Sequence, residues 1–188
     1  MPSYTKSTFI VFAKLPQLLK DTVDGIRKIY NPQGLARWEA HMTIKQDEDY
    51  SVDENALSEI VKRVLFNFKT LTYDLGEPAY KEIAPQRYMV YIPIHSPEIK
   101  EFVKTLSMAM EPFIHSQAED AYKSTRWEQS EEFFLHCTIS TSLQTMKEVE
   151  VLMGLMREAL ENIPKSYLLE SLFLCHWEKD KWEGREVV

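Results

Sequence analysis

Residues 40–45 read AHMTIK and residues 135–140 read LHCTIS, so the phrase His-x-Thr-Ile stands in both segments. Because side chains alternate along a β-strand, the histidine and threonine of each phrase share one face, and the apolar residues share the other. An apolar face packs against helices, which leaves the imidazole and the hydroxyl to face a groove. The two matched phrases therefore predict one site to which both halves of the chain contribute.

Similar orders of strands and helices surround the two phrases. The repeated β-α-β-α-β order predicts a single domain of two related lobes, with lobe 1 at approximately 1–84 and lobe 2 at approximately 85–188. The expected elements are a strand at 8–13, a helix stopped by Asn31 and Pro32, strands at 40–45 and 71–75 around a helix with a Ser51–Glu54 capping box, a strand at 88–94, a helix capped by Ser96, a strand at 133–140, a helix with a Thr145–Glu148 capping box, and a strand at 167–177.

Composition narrows the class of protein. The 188 residues are 44% hydrophobic, which suits a packed globular domain, and the early apolar run at 9–13 is too short for a membrane span. Cys137 and Cys175 form neither a disulfide framework nor a spaced zinc motif, so we expect a cytoplasmic protein. A net charge of −7 argues against a broad grip on long nucleic acid and favours a small phosphate substrate.

The paired residues suit acid-base chemistry at a phosphodiester, because imidazole exchanges protons near neutral pH. One of His41 and His136 would remove a proton from the attacking water or hydroxyl, and the other would protonate the leaving oxygen. Thr43 and Thr138 would hydrogen-bond the non-bridging oxygens, where charge gathers in the transition state. No metal or other cofactor is needed. The sequence does not decide which histidine is the acid.

The two phrases resemble the signature of the two-histidine phosphoesterase superfamily, which includes bacterial 2'-5' RNA ligase-like proteins and cyclic nucleotide phosphodiesterases. The resemblance spans nearly the whole chain, and residues 29–45 are particularly similar to small bacterial members. It implies an α+β fold in which two pseudo-symmetric lobes with mainly antiparallel sheets surround a central cleft. It also implies action on a 2',3'-cyclic phosphate or a 2'-5' linkage of RNA or a nucleotide, with hydrolysis and ligation both left open.

Further side chains are candidate substrate contacts. Lys45 and Ser140 are expected on the same strand faces as the histidines, although the superfamily commonly has aliphatic or aromatic residues there. The long segment 116–132 precedes the second phrase and mixes aromatic and basic groups, as a nucleotide-contacting loop would. Its candidate residues are Tyr122, Lys123, Arg126 and Trp127.

Two other classes of function fit the same residues. A non-catalytic module could bind a nucleotide or an RNA end in the same cleft, and turnover would separate it from an enzyme. A metal site could use His41, His136 and Glu39, but His-x-Thr spacing offers hydroxyls where a metal needs denser ligands. We expect a monomer with a nucleotide or RNA-end substrate, no membrane association and no obligate protein partner.

Overall fold

The computed structural model describes residues 7–115, 123–178 and 181–187. Over these residues the chain forms nine strands, six α-helices and one short 3-10 helix at Glu111–Phe113. No helix among them is both long and apolar enough to cross a membrane. The elements are β1 Ser7–Lys14, α1 Gln17–Tyr30, α2 Pro32–Arg37, β2 His41–Tyr50, α3 Glu54–Leu65, β3 Thr72–Leu75, β4 Ala79–Ala84, β5 Arg87–His95, α4 Pro97–Met110, α5 Lys123–Glu128, β6 Leu135–Leu143, α6 Met146–Leu160, β7 Ser166–Leu168, β8 Leu172–Glu178 and β9 Lys181–Glu186.

Two antiparallel sheets make the framework. The first has the strand order β2-β1-β8-β9. The second has the order β4-β5-β3-β7, and β6 pairs with the opposite side of β5. The expected α+β class with antiparallel sheets is therefore confirmed.

The core follows from alternation along the strands and periodicity along the helices. Phe9, Val11 and Ala13 of β1 lie in the main core, together with the apolar stripes of α1, α3, α4 and α6. The alternate residues Ile10 and Phe12 form a second, smaller cluster on the opposite face of β1. That second face belongs to the side of the sheet where the site described below is found.

Polar side chains set the starts of the helices. The hydroxyl of Ser96 accepts from the N–H of Ile99 at 3.0 Å, and Thr145 and Glu148 form the expected capping box of α6. The expected Ser51–Glu54 box is wrong. Asp53 caps α3 by accepting from the N–H of Ala56 at 2.9 Å, while Ser51 donates to a backbone carbonyl outside the helix.

The two predicted lobes contribute strands to both sheets. Residues 84 and 85 lie at the turn of the β4–β5 hairpin, where Gln86 adopts a positive φ of 56°. The expected strand at 167–177 is two strands: β7 joins the second sheet by pairing with β3, and β8 joins the first by pairing with β1. Each sheet thus combines strands that precede residue 84 with strands that follow it, and the two lobes stay a prediction about the sequence.

Four elements had no prediction. These are the edge strands β4 and β9 and the short helices α2 and α5. The side chains of β4 are mostly exposed, so its hydrophobic pattern carries no burial signal. Helix α5 lies in the segment 116–132 that was expected to be without regular structure.

Candidate active site

The two motif strands β2 and β6 meet between the sheets. Over the described residues each is an edge strand, β2 of the first sheet and β6 of the second, and they lie side by side. The pairing expected from the sequence is therefore a contact between the two strands.

A cleft of about 530 Å³ opens where these strands meet, and its wall contains both histidines and both threonines of the phrases. His41, Thr43, His136 and Thr138 are each half-buried. We call this space the cleft. A volume of this order is ordinary for a site that binds a small molecule.

Each imidazole is held by a backbone carbonyl two residues earlier. Nδ1 of His41 lies 2.7 Å from the oxygen of Glu39, and Nδ1 of His136 lies 3.2 Å from the oxygen of Phe134. A carbonyl oxygen only accepts, so Nδ1 must carry the proton in both rings. Nε2 is therefore the nitrogen that remains for proton exchange, and the same local geometry produces it twice.

Burial lowers the pKa of both histidines below the ordinary value. The Glu39 carbonyl opposes this shift at His41, whereas the positive charges of Arg27 and His136 add to it. Lys81 lowers the pKa of His136 further. A lowered pKa favours the neutral form of both rings at pH 7, and protonation of one disfavours protonation of the other.

Aromatic rings surround both histidines and produce that burial. The ring of His41 lies 5.3 Å from that of Phe12 and 5.2 Å from that of Trp38. The ring of His136 lies 4.8 Å from that of Phe134 and 5.6 Å from that of Tyr91. These contacts restrict the ring planes, so each Nε2 is presented from a rigid support.

Helix α1 ties the two motif strands together. Asp24 accepts from the N–H of Ala40, which precedes His41, at 2.9 Å. One turn later Arg27 donates to Asp24 at 3.1 Å, and at the end of the helix Asn31 donates to the carbonyl of Ile139 at 3.2 Å. Sequence reasoning missed Asp24, Arg27 and Asn31. Their spacing of three and four residues, on the buried side of an amphipathic helix, was the signal that could have found them.

Lys45 and Ser140 were expected in the groove, and the structure places both in the interior. Lys45 is fully buried, with Nζ 3.0 Å from a Glu128 carboxylate oxygen. Ser140 is fully buried and donates to the carbonyl of Tyr30 at 3.0 Å. Neither lines the cleft.

Equivalent irregularities in the two strands cause this inward turn. Phe12 pairs with Thr43 and Val11 with Lys45, so Ile44 is an extra residue in β2. Tyr91 pairs with Thr138 and Val90 with Ser140, so Ile139 is an extra residue in β6. A β-bulge interrupts the alternation of faces, and each phrase therefore ends its exposed face at the threonine.

The candidates from the segment 116–132 whose side chains are described do not line the cleft. Tyr122 lies outside the described residues, and of Lys123 only the backbone, at the start of α5, is described. Arg126 is exposed but does not line the cleft, and Trp127 packs on Phe133 with ring centroids 4.8 Å apart. Of the two candidates whose side chains are described, neither lines the cleft, and the predicted contacts of Tyr122 and Lys123 stay predictions.

The charges that line the cleft are positive. Arg27, Arg37 and Arg87 all contribute to its wall, and among the described residues no carboxylate does. Arg37 and Arg87 are exposed at the rim, where Arg87 Nε donates to the Thr141 carbonyl at 2.9 Å. A chain with a net charge of −7 thus presents an electropositive cleft, which suits an anionic ligand.

Metal ligation has little support in the same region. The Glu39 carboxylate is 63% exposed and lies 3.5 Å from Lys20 Nζ, so it is paired outside the cleft. The described residues contain no cluster of three or more His, Cys, Asp or Glu side chains suited to a metal ion.

The antiparallel framework and the two His-x-Thr phrases in one cleft define a two-histidine phosphoesterase fold. The family model of the 2'-5' RNA ligase superfamily matches residues 15–181, and the chain belongs to that superfamily. No curated protein sequence matches it.

Solved structures share the fold at low sequence identity. Escherichia coli LigT in its apo form is 10% identical with a TM-score of 0.52, over 96% of this chain and 94% of that one. LigT complexed with 3'-AMP is 11% identical with a TM-score of 0.51, over the same shares of the two chains. A structure described as a phosphoesterase is 11% identical with a TM-score of 0.52, over 97% of this chain and 95% of that one.

Proposed function

We propose that this protein is a metal-independent phosphoesterase that acts on a 2',3'-cyclic phosphate or a 2'-5' phosphodiester of RNA or a nucleotide. The observation that carries the proposal is that His41 and His136 have the same hydrogen-bonding arrangement in one cleft. Each has Nδ1 engaged by a backbone carbonyl, and both line one cleft with cationic and no anionic side chains among the described residues. Superfamily membership supports the same class of reaction.

The proposed chemistry divides proton transfer between the two imidazoles. The neutral ring takes a proton through Nε2 from the attacking water or hydroxyl, and the other ring, protonated, gives its Nε2 proton to the leaving oxygen. A bound anionic phosphate favours protonation of one histidine and offsets the effect of burial on its pKa. Thr43 and Thr138 donate hydrogen bonds to the non-bridging oxygens, whose charge grows in the transition state.

A nucleotide is the proposed substrate because the cleft offers both charge and a flat apolar surface. Arg37 and Arg87 lie at the rim, where they can meet further phosphates, and Trp38 lines the wall beside His41. Aromatic side chains stack on nucleobases without strong sequence preference. LigT, which shares this fold, has been crystallised with 3'-AMP, and we infer that a nucleotide of similar size occupies this cleft.

A panel of substrates with product identification tests the proposal. The panel contains 2',3'-cyclic mononucleotides, 2'-5'-linked oligonucleotides and small cyclic phosphates, assayed with wild-type protein and with His41→Ala, His136→Ala and the double variant. Each single change should lower kcat by about 10²- to 10⁴-fold. Because the two rings act on one phosphate, the double variant should lose much less than the product of the single losses.

His95→Ala is the matched control, since His95 is exposed and does not line the cleft. It should retain wild-type turnover. If the protein binds 3'-AMP but releases no product from any member of the panel, it is a nucleotide-binding module. If His41→Ala retains full activity, the paired mechanism is wrong.

A further inference from the structure

Arg27 is a buried cation with unused hydrogen-bonding capacity. The residue is only 4% exposed, and Nη1 donates to Asp24 at 3.1 Å. Nε is buried, and within residues 7–115, 123–178 and 181–187 it has no hydrogen-bond partner. A buried donor without a partner is unfavourable, and in native proteins it commonly indicates a ligand or water that completes the site.

The ion pair with Asp24 does not account for the whole guanidinium. Asp24 divides its carboxylate between Arg27, the N–H of Ala40 and the ammonium of Lys20, which lies 3.4 Å away. A guanidinium has five N–H donors in a fixed planar arrangement. Asp24 therefore orients Arg27 while leaving donors for another group.

The position of Arg27 on α1 places those donors beside the cleft. Asp24 bonds the start of β2, and Asn31 bonds β6, so the helix is fixed to both motif strands at either side of Arg27. Arg27 lines the cleft together with both histidines. Its positive charge also contributes to the lowered pKa of His41.

We propose that Arg27 is the fixed anion-binding group beneath the reacting phosphate, so that the cleft recognises a phosphate group even without a nucleoside attached. This inference rests on the proposed function and adds a residue to it. Arg37 and Arg87 are exposed and share the cleft wall, whereas Arg27 is buried and paired with Asp24, which itself bonds the backbone at the start of β2. A rigid guanidinium binds phosphate without losing side-chain freedom at the moment of binding.

Inorganic phosphate is the probe, because its binding is measured without turnover. Calorimetry should give a dissociation constant for wild-type protein that Arg27→Gln weakens by about 10- to 100-fold, as expected for loss of a charged hydrogen bond. Lys45→Met is the matched control, since it also removes a buried, paired cation but one that does not line the cleft. Per folded molecule, it should bind phosphate as the wild type does.

NMR provides a readout that a merely structural role would not change. In wild-type protein, the Nε–H resonance of Arg27 should shift on phosphate addition, and the binding curve should match calorimetry; this measurement needs no variant to fold. In Arg27→Gln the pKa of His41 should rise, because a nearby positive charge has been removed. Charged groups that act on His41 and remain in this variant are Asp24 and His136.

The phosphate-binding experiments can fail or succeed independently of the substrate panel. A folded Arg27→Gln that binds phosphate as tightly as wild type, or a wild-type Arg27 resonance that phosphate leaves unchanged, overturns the role of Arg27 while leaving the histidine mechanism standing. Weakened phosphate binding with an unchanged control supports it, whether or not any diester in the panel is cleaved.

Discussion

Replacing Lys45 by Met tests whether this lysine holds the fold or binds substrate. Its side chain and that of Glu128 are both 0% exposed, and their charged atoms are 3.0 Å apart. Glu128 also accepts from the N–H of Gln46 at 2.6 Å and from the hydroxyl of Ser107 at 2.5 Å. Burial raises the pKa of Glu128, whereas Lys45 and these hydrogen bonds favour its ionised form. The ionised form of the buried Glu128 carboxylate is therefore stabilised by the charge of Lys45.

Removing one partner of a buried ion pair typically costs about 3 to 5 kcal/mol, because the other charge is left uncompensated. For a chain of this size, that loss corresponds to a fall in Tm of roughly 6 to 20 °C. Urea and thermal unfolding measure the change. Lys45→Met with Glu128→Gln should recover a large part of it, since no buried charge then remains unpaired.

Lys62→Met is the exposed control. Lys62 and Glu59 are also 3.1 Å apart, but their side chains are 49% and 73% exposed, so we expect a loss below about 1 kcal/mol. Turnover per folded molecule should stay near wild type in Lys45→Met, because Lys45 does not line the cleft. Wild-type stability combined with a tenfold or larger loss of turnover would refute this reasoning and restore Lys45 as a substrate contact.

The remaining predictions concern the cleft. Thr43→Val and Thr138→Val should each lower kcat/KM by about 10- to 100-fold, less than either histidine, since each removes one hydrogen bond to a charged oxygen; unchanged steady-state kinetics would contradict this. Turnover should survive EDTA, and loss that zinc or manganese restores would disprove metal independence. Burial lowers the folded pKa of both histidines below about 6.5, so stability to urea should decrease as pH falls from there through the folded pKa values. His41→Ala should weaken that dependence, and the optimum of kcat/KM should lie on the acid side of pH 6.5, where one ring is protonated.

Sequence reasoning succeeded for most local signals, although the Ser51–Glu54 capping box was wrong. Alternation along a strand identified the faces of both His-x-Thr phrases, and hydroxyl and carboxylate spacing identified the caps at Ser96 and Thr145. It failed where pairing between distant segments decides. Nothing local shows that the chain changes sheets between β7 and β8, because both flanking segments have ordinary strand composition.

The residues of the cleft also divide into those that the sequence predicted and those that it did not. His41 and His136 were found because their chemistry repeats, whereas Arg27 was missed because it occurs once and on a helix. A lone arginine in an amphipathic helix is usually solvated, and its burial depends on Asp24 and on the strands packed against α1. Its spacing from Asp24 and Asn31 places all three on one side of α1, but only the packing shows that this side faces both motif strands.

The two His-x-Thr phrases share a backbone irregularity as well as their residues. Each is followed by an extra residue at the isoleucine, and each bulge turns the next side chain into the interior. Those next residues, Lys45 and Ser140, differ in chemistry because they anchor to different partners: Lys45 to a carboxylate on α5, and Ser140 to a carbonyl at the end of α1. The bulge therefore separates two duties within each strand. The histidine and threonine before it face the cleft, and the residue after it bonds the strand to a helix.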